Sequence, residues 1–406
     1  MNIGFYGGSF DPFHKGHQKI LQAALAAHDL DKVIVMPAGS PPHKKDKRRS
    51  FAAYRLRMAE LALETLSKAE VSSWEIEKES ASYTVESLTY LRTLYGDDTS
   101  LFLIMGQDMF MTLDQWHRFE DILEQSTIMV ARRPGGSEEA YLAQLKRLKQ
   151  DYGAAIIEFD MEPMDISATE VREAVSNNGS WEGDVSPEVR EFILANQLYV
   201  TDEIMDSVSA ETLEKINHYE RRLLKLLSLP RLVHVLNVMR TAVELAVRFG
   251  ADPDAAAVAG LLHDTVKEKP LAEQRRMAAP MDPQEVIADA IIHGPAATSY
   301  LEEVFDVHDP EILRAVSNHS ILSAEPHLLE QIIYLADKIE PSREYDDLPA
   351  IREAAQADLE EAVILTIKGQ EMNLHGKGSE LLPETLEGRA FLEGIVRQGK
   401  SHKARE

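Results

Sequence analysis

The sequence has no cysteine among its 406 residues. This absence excludes disulfide bonds, thiolate zinc sites and a cysteine nucleophile, so histidine and carboxylate side chains remain as the available metal ligands. Long apolar runs are also absent, since no stretch approaches the roughly 18 residues that predict a membrane helix. The N-terminus enters a strand directly and does not have the pattern of a signal peptide. We therefore expect a cytoplasmic protein without a membrane partner.

Positive charge is scarce in this chain. There are 43 Lys and Arg residues against 68 Asp and Glu, and the formal net charge is −25. Such a charge argues against broad binding to nucleic acids or anionic membranes, so we expect no nucleic-acid partner. Basic residues that bind phosphate must therefore form local clusters. The segment 44–49 is the most obvious cluster, although a solvated loop would have the same composition.

The length and one change of composition predict two domains. A chain of this size exceeds the range in which a single hydrophobic core keeps growing. Residues 201–209 are polar and acidic without periodicity, and we take them as a linker. The predicted domains are 1–200 and 210–396, followed by a frayed polar tail at 397–406.

The two halves differ in their secondary-structure patterns. Short apolar strands alternate with helices in the first half, which predicts an α/β domain with a doubly wound parallel sheet. One of these predicted strands is the stretch 71–76, VSSWEI. The second half contains helical patterns, including 283–292 and 351–368, and is predicted to be all-α.

The stretch 3–17, IGFYGGSFDPFHKGH, is the most informative part of the first half. A short apolar strand leads to Gly7 and Gly8, where a tight turn lets backbone N–H groups approach a ligand. A helix then begins near His14 and His17, and the N-terminus of a helix favours an anion. These histidines are three residues apart, so they can donate to the same phosphate. The alternative is a glycine-rich connection with incidental histidines.

Further polar residues follow the predicted strands or begin the helices after them. Gly106 and Asp108 come directly after an apolar strand, at the edge where parallel sheets bind their ligands. Ser167 can cap the next helix, and Arg172 can reach a phosphate from it. Each of these residues also has a purely structural interpretation, such as a helix cap, a core position or a surface position.

The order and spacing of these motifs across residues 1–200 resemble bacterial nicotinate-mononucleotide adenylyltransferases, which belong to the HxGH nucleotidyltransferase superfamily. The resemblance implies transfer of AMP from ATP, with Mg²⁺, to nicotinate mononucleotide, giving nicotinate adenine dinucleotide and pyrophosphate. It implies that His14 and His17 are catalytic, because they would stabilise charge on the transferring α-phosphoryl group. It assigns substrate and ATP binding to Gly7, Gly8, Ser9, Phe10, Lys44, Tyr83, Thr84, Gly106, Asp108, Trp116, Arg132, Ser167, Thr169 and Arg172.

Two of these assignments concern the pyridine substrate. The resemblance implies that Trp116 stacks on the pyridine ring and that the backbone around Tyr83 and Thr84 receives its carboxylate. Ala168 stands where serine is common in this motif. The alternative is adenylylation of another phosphorylated acceptor by the same core.

In the second half, ionisable residues end or interrupt apolar helical runs. Burial of such groups is costly unless they pair or bind a metal. A single buried histidine is more often a satisfied core residue, but a set of histidines and aspartates without cysteine suits one first-row divalent ion, or two ions bridged by a carboxylate. The residues of this set are His234, His263, Asp264, His293, His319 and Asp337.

The order of these residues resembles that in the HD-domain metal phosphohydrolases. The surrounding sequence across residues 205–406 resembles their YqeK-type branch. That branch hydrolyses diadenosine tetraphosphate symmetrically to two ADP. The resemblance implies one or two divalent transition-metal ions, iron or manganese, with Asp264 as the bridging and catalytic ligand. The implied first metal site is His234, His263, Asp264 and Asp337, and the implied second site adds His293 and His319 to Asp264.

Two basic residues and one loop bear on the substrate of this half. Lys267 and Arg343 are candidates for binding substrate phosphate, although a surface salt bridge is the alternative for each. After His319 the chain reads Ser-Ile-Leu-Ser-Ala, where the YqeK-type branch usually has threonine and a glycine-bearing loop. This departure bears on substrate preference.

Together these observations predict a bifunctional enzyme that joins an adenylyltransferase of NAD synthesis to a metal-dependent hydrolase. The expected partners are ATP, nicotinate mononucleotide and adenine dinucleotide polyphosphates, and a homo-oligomer is left open. For the second half, the alternatives are action on another nucleotide or a non-catalytic regulatory module that binds a nucleotide.

Overall fold

The computed structural model describes residues 1–39, 50–132, 137–162, 164–200, 202–281 and 287–404. The chain divides into two compact units. The first unit contains Met1–Leu194 and Leu198–Val200, and the second contains Ala195–Gln197 and Thr201–Glu406. Within the described part of the chain, every helix is too short or too polar to cross a membrane.

The first unit is built on a six-stranded parallel sheet with the strand order β3-β2-β1-β4-β5-β6. The chain starts in the middle of the sheet, builds one side outward and then crosses to the other side. The prediction of a doubly wound α/β domain is confirmed. The strands are β1 (Asn2–Gly8), β2 (Lys32–Pro37), β3 (Ala69–Val71), β4 (Ser100–Gly106), β5 (Thr127–Arg132) and β6 (Ile156–Asp160).

Helices connect these strands, as right-handed parallel crossovers require. Apolar faces of the helices pack against the buried strands; α4 contributes Val85, Leu88 and Leu91 to the same core as Leu103 of β4. The helices are α1 (Lys15–Ala27), α2 (Ala52–Leu63), α3 (Trp74–Glu77), α4 (Thr84–Tyr95), α5 (Gln107–Phe110), α6 (Phe119–Gln125), α7 (Glu138–Asp151), α8 (Ala168–Ser176) and α9 (Pro187–Ala195), and Leu113–Gln115 is a 3₁₀ turn.

The strand predicted at 71–76 is wrong over most of its length, because Trp74–Glu77 forms the short helix α3. β3 is an edge strand, and its neighbour β2 ends at Pro37, which has no backbone N–H to continue a ladder. The ring of Trp74 instead stacks on Tyr90 of α4, with ring centroids 4.4 Å apart and an angle of 13°.

The second unit is helical among the residues that the structure describes, so the prediction of an all-α second half is confirmed. The long helix α11 is buried along most of its length, which places it inside the unit. The helices are α10 (Ala210–Leu223), α11 (Leu229–Phe249), α12 (Pro253–Leu262), α13 (Leu271–Ala278), α14 (His293–Phe305), α15 (Pro310–Asn318), α16 (Leu328–Ile339), α17 (Leu348–Ala354), α18 (Leu359–Gly376) and α19 (Pro383–Arg397), and Asp202–Ser207 is a 3₁₀ segment.

Two helix predictions in this unit need correction. The helix predicted at 283–292 is wrong where the structure describes it, because residues 287–292 form turns and bends before α14 begins; residues 282–286 lie outside the described residues. The helix predicted at 351–368 is two helices, α17 and α18. The break occurs because Asp358 caps α18, accepting a hydrogen bond from the Glu361 N–H at 3.1 Å.

The expected frayed tail is ordered at residues 401–404. The Ser401 hydroxyl donates to Asp358 Oδ2 at 2.8 Å, and Lys403 pairs with the same carboxylate. His402 Nδ1 lies 2.6 Å from Oε1 of Glu360, a carboxylate that is completely buried. This part of the tail therefore closes the N-terminus of α18.

Candidate active sites

The turn between β1 and α1 lies where the strand order reverses, at the carboxyl edge of the sheet that binds ligands in such folds. Two glycines allow its shape. A Cβ on Gly8 would lie 2.7 Å from the Phe10 ring, and a Cβ on Gly16 would lie 2.9 Å from His14 Nδ1. At either position a Cβ would push the neighbouring ring away, so the glycines let aromatic and histidine rings fold back over the turn.

His14 and His17 form a stacked pair at the N-terminus of α1. Their ring centroids are 3.7 Å apart at an angle of 24°, and His14 is 5% exposed. The His14 backbone N–H donates to Nδ1 of His17 at 3.2 Å. Because Nδ1 accepts this bond, a neutral His17 carries its proton on Nε2 and can donate it to an oxyanion. The pair therefore suits phosphate binding at a helix N-terminus.

Tyr83 and Thr84, which are predicted to bind the pyridine substrate, lie at the start of α4, and Trp116 follows the 3₁₀ turn. Gly106 and Asp108, the latter predicted to face the nucleotide, lie at the carboxyl end of β4. Trp116 is partly buried against the apolar core, and the Tyr83 ring lies 4.3 Å from the ring of His117. The Tyr83 N–H already donates to Oε2 of Glu86 at 3.4 Å, within a capping box. A substrate carboxylate at this position would therefore compete with the Glu86 side chain. Thr84 is the first residue of α4, Gly106 ends β4, and Asp108 lies exposed in the first turn of α5.

The predicted phosphate-binding residues of α8 are engaged with their neighbours. The Ser167 hydroxyl accepts from the Glu170 N–H at 3.2 Å and so caps the helix. Arg172 donates through Nη1 to the Asp11 carbonyl at 2.6 Å and through Nη2 to Thr169 Oγ1 at 3.3 Å. Arg172 thus contacts the turn between β1 and α1, as the predicted role of a phosphate ligand requires.

The other two predicted basic ligands differ from Arg172. Arg132 forms an ion pair with Glu138 at 2.7 Å and is placed over the Tyr141 ring. Lys44 lies outside the described residues.

Sequence reasoning missed Arg55 of α2, which is 2% exposed. It donates a hydrogen bond to the carbonyl of Ser9, in the turn between β1 and α1, at 3.0 Å. Because α2 also contains Arg57 and Glu60, its sequence did not set Arg55 apart.

In the second unit, four helices bring five of the six candidate metal ligands together. His234 is on α11, and His263 and Asp264 follow α12. His293 begins α14 and His319 follows α15. Ligand atoms of His234, His263 and Asp264 lie within 4.8 Å of one another, and so do those of Asp264, His293 and His319. The two groups share Asp264, as two bridged ions would require.

Backbone carbonyls set the tautomers of two of these histidines. His263 Nδ1 lies 2.8 Å from the Gly260 carbonyl, and His319 Nδ1 lies 2.7 Å from the Val316 carbonyl. A carbonyl can only accept, so each Nδ1 carries the proton and each Nε2 presents a lone pair. Such a hydrogen bond is what orients metal-binding histidines in proteins.

Burial and charge at this centre match a metal site. Burial lowers the pKa of His263 to about 4 and that of His293 to about 3, so both rings are neutral at pH 7. Burial opposes ionisation of Asp264, but the neighbouring histidines hold its pKa well below the usual value. Among the described residues, His263 Nε2 and Asp264 Oδ1 have no hydrogen-bond partner although both are buried. A divalent cation would satisfy these atoms.

Asp337 of α16 lies beside the first group, with Oδ1 3.1 Å from His234 Nε2 and 3.9 Å from His263 Nε2. The other His234 nitrogen, Nδ1, lies 3.2 Å from Oε1 of Glu340, which is 1% exposed. Burial lowers the pKa of His234, but hydrogen bonds to Asp337 and Glu340 outweigh this effect and raise it overall. Sequence reasoning missed Glu340, a carboxylate that directly follows α16.

Basic side chains border the same centre. Lys267 Nζ lies 3.1 Å from His293 Nδ1, and Arg343 donates to Asp337 Oδ1 at 2.9 Å. Arg231, which sequence reasoning missed, donates to Asp264 Oδ2 at 2.9 Å from one turn before His234 on α11. In a chain of net charge −25, this local concentration of cations suits a polyanionic ligand.

Comparison with known proteins gives one family match in each of the two units. The Cytidylyltransferase-like family matches residues 5–174, and the HD domain family matches residues 231–342. Each match contains the candidate site of its unit.

Individual relatives are similar to one half each. A probable nicotinate-nucleotide adenylyltransferase of Clostridium botulinum (strain Alaska E43 / Type E3) is 35% identical over 196 residues, which are 48% of this chain and 96% of that protein. A protein of the same description from Carboxydothermus hydrogenoformans is 35% identical over 197 residues, covering 48% and 97% of the two chains. A crystal structure of a predicted HD superfamily hydrolase involved in NAD metabolism, from Clostridium acetobutylicum, is 31% identical and covers 45% of this chain and 97% of that one, with a TM-score of 0.40.

Proposed function

The first half of this chain belongs to the nicotinate-nucleotide adenylyltransferase family and the second half contains an HD domain, and from this premise we propose a bifunctional enzyme. Its first activity is transfer of AMP from ATP to nicotinate mononucleotide. The observation that supports this activity is the stacked His14–His17 pair at the N-terminus of α1, with Nε2 of His17 as the proton-bearing nitrogen.

The first reaction needs positioning more than covalent participation by the protein. A phosphate oxygen of nicotinate mononucleotide attacks the α-phosphorus of ATP, and the bond to the bridging oxygen breaks to release pyrophosphate. His14, His17 and Arg172 donate hydrogen bonds to the phosphate oxygens, on which negative charge accumulates. Trp116 stacks on the pyridine ring, and the start of α4 meets its carboxylate.

Initial-rate measurement of pyrophosphate release tests this activity. We expect turnover with nicotinate mononucleotide and a lower specificity constant with the nicotinamide form. An amide in place of the carboxylate leaves donors unsatisfied, which costs about 1–3 kcal/mol. Equal specificity constants would contradict the assigned carboxylate site, and turnover with a different phosphorylated acceptor alone would contradict the activity.

For the second unit we propose metal-dependent, symmetrical hydrolysis of diadenosine tetraphosphate to two ADP. The supporting observation is the shared Asp264. Among the described residues its buried Oδ1 has no hydrogen-bond partner, and it lies 3.4 Å from His293 Nε2 and 3.5 Å from His319 Nε2, while His263 Nε2 lies 3.6 Å from Oδ2. His234, His263, Asp264 and Asp337 would hold one divalent ion, and His293 and His319 would hold a second together with Asp264. When bound, such ions lower the pKa of water and neutralise phosphate charge.

The residues of the protein divide the remaining work. The backbone carbonyls of Gly260 and Val316 keep the ligand nitrogens of His263 and His319 unprotonated. Lys267, Arg343 and Arg231 would bind the polyphosphate chain. In the reaction, water adds to one of the two central phosphorus atoms, the central P–O–P bridge breaks, and two protons are released as both ADP products ionise.

Chromatography of the products, with iron or manganese added to chelator-treated protein, tests the second activity. Two ADP per substrate would support the proposal. ATP and AMP would show asymmetric cleavage and contradict it. Binding of the dinucleotide without turnover, in protein whose metal content has been measured, would indicate a regulatory module.

A further inference from the structure

Asp11 lies in the turn between β1 and α1 and is 3% exposed, yet sequence reasoning gave it no role. The Tyr199 hydroxyl donates to its Oδ1 at 2.9 Å, and the Ser50 backbone N–H donates to its Oδ2 at 3.1 Å. Burial and the Asp11 carboxylate raise the pKa of Tyr199 well above its usual value, so the phenol stays protonated and donates. Each carboxylate oxygen thus has a donor from a different part of the unit.

Two arginines hold the backbone of the same turn. Arg172 donates to the Asp11 carbonyl at 2.6 Å, and Arg55 donates to the Ser9 carbonyl at 3.0 Å. The buried Arg55 guanidinium also donates to the Ala38 carbonyl at 2.8 Å and to the Ser50 carbonyl at 3.2 Å. These charge-assisted bonds connect the turn to α2, α8 and the residue that follows β2.

The backbone of the turn adopts a conformation that needs such support. Phe10, directly before Asp11, has φ = 50°, and Tyr199 has φ = 67°. Both are buried aromatic residues in the left-handed region, which persists for such residues only where the surroundings over-determine it. The Tyr199 carbonyl is held by the Ser176 hydroxyl. One strained residue, Tyr199, therefore takes part in the Tyr199–Asp11 contact, and the other, Phe10, directly precedes Asp11.

We propose that Asp11 and Tyr199 are positioning residues for adenylyl transfer, which fix the turn so that His14 and His17 meet the phosphates in the reactive geometry. The proposal rests on the adenylyl transfer proposed above. Neither side chain contacts substrate in this account. Misplacement of a reacting group by about 1 Å, even when caused from a distance, can cost about 100-fold in rate.

The test is Tyr199→Phe in the full-length protein, which removes one hydroxyl and keeps the ring. The matched control is Tyr141→Phe, since the Tyr141 hydroxyl lies 3.0 Å from Glu158 Oε2, another buried phenol paired with a carboxylate in the same unit. Pyrophosphate release gives kcat and KM, and circular dichroism gives Tm. We expect kcat to fall about 10- to 100-fold in Tyr199→Phe, with KM for nicotinate mononucleotide within about threefold, while Tyr141→Phe keeps its kcat.

The outcomes are distinguishable. A kcat within about twofold of the wild type in folded Tyr199→Phe, or an equal fall of kcat in Tyr141→Phe, would overturn the positioning role. If Tyr199→Phe does not fold, Asp11→Asn is judged by the same criterion, since its amide retains one oxygen for a donor. Failure of the wild type to use nicotinate mononucleotide at all would instead overturn the proposed first activity.

Discussion

Gly16 offers a prediction in which stability and activity change in opposite directions. It is the second residue of α1 and has ordinary helical backbone, so alanine fits the chain there. Alanine is more favourable than glycine in a helix by up to about 1 kcal/mol. A Cβ at this position would, however, lie 2.9 Å from both Cε1 and Nδ1 of His14.

The size of the effect follows from that distance. Ordinary contacts of a Cβ begin at 3.4 Å, so the His14 ring has to move by 3.4 − 2.9 = 0.5 Å. A shift of about 1 Å at a reacting group can cost about 100-fold, so half of that shift corresponds to about tenfold, or about 1.4 kcal/mol. We therefore expect Gly16→Ala to lose about tenfold in kcat for adenylyl transfer while its Tm stays the same or rises.

Initial-rate kinetics of pyrophosphate release and thermal unfolding measure the two quantities. Gly394→Ala in α19 is the matched control, because a Cβ there meets no atom within 4 Å. Gly394→Ala should show the stabilising effect of alanine in a helix and an unchanged rate of adenylyl transfer. A Gly16→Ala enzyme with wild-type kcat would refute the reasoning, because it would show that the position of His14 does not limit the reaction.

Three further predictions follow from the two sites. Asp264→Ala should release bound metal and abolish dinucleotide hydrolysis yet leave adenylyl transfer unchanged, while His17→Ala should do the reverse; loss of both activities in a folded single variant would contradict separate sites. Trp116→Ala should weaken nicotinate mononucleotide by about 1–3 kcal/mol without weakening ATP in binding titrations, and equal weakening of both ligands would make Trp116 a core residue. Gly294→Ala would place a Cβ 2.3 Å from the Ser317 carbonyl, so His293 and His319, which flank this contact, should separate and the bound metal should decrease. Elemental analysis measures the metal, and an unchanged content would contradict this prediction.

Several elements of the fold could be predicted from the sequence because burial leaves a distinct pattern. β4 is a continuous apolar run, as a strand covered on both faces must be. The same reasoning failed at 71–76, because the strand-like sequence continues past the point at which β2 ends at Pro37 and offers no further N–H. The sequence pattern shows which residues are apolar, but it does not show where a neighbouring strand stops.

The candidate sites likewise contain some residues that could be identified from the sequence and others that could not. His263 and Asp264 could be singled out because ionisable residues at the end of an apolar helix have few structural uses. Glu340 could not, since its importance depends on the approach of α16 to α11. The pairing of Asp11 with Tyr199 joins residues 188 positions apart, and no local pattern reports a contact of that kind.

The helices α12 and α15 end in the same way, and this has a consequence for protein design. Each places a histidine at its C-cap, His263 or His319, with Nδ1 bound to the carbonyl three residues earlier, at 2.8 Å and 2.7 Å. The helix end itself therefore orients the imidazole, without a dedicated carboxylate or amide. A designer could graft such C-cap histidines onto converging helices of an idealised bundle and obtain preset ligands from backbone geometry alone.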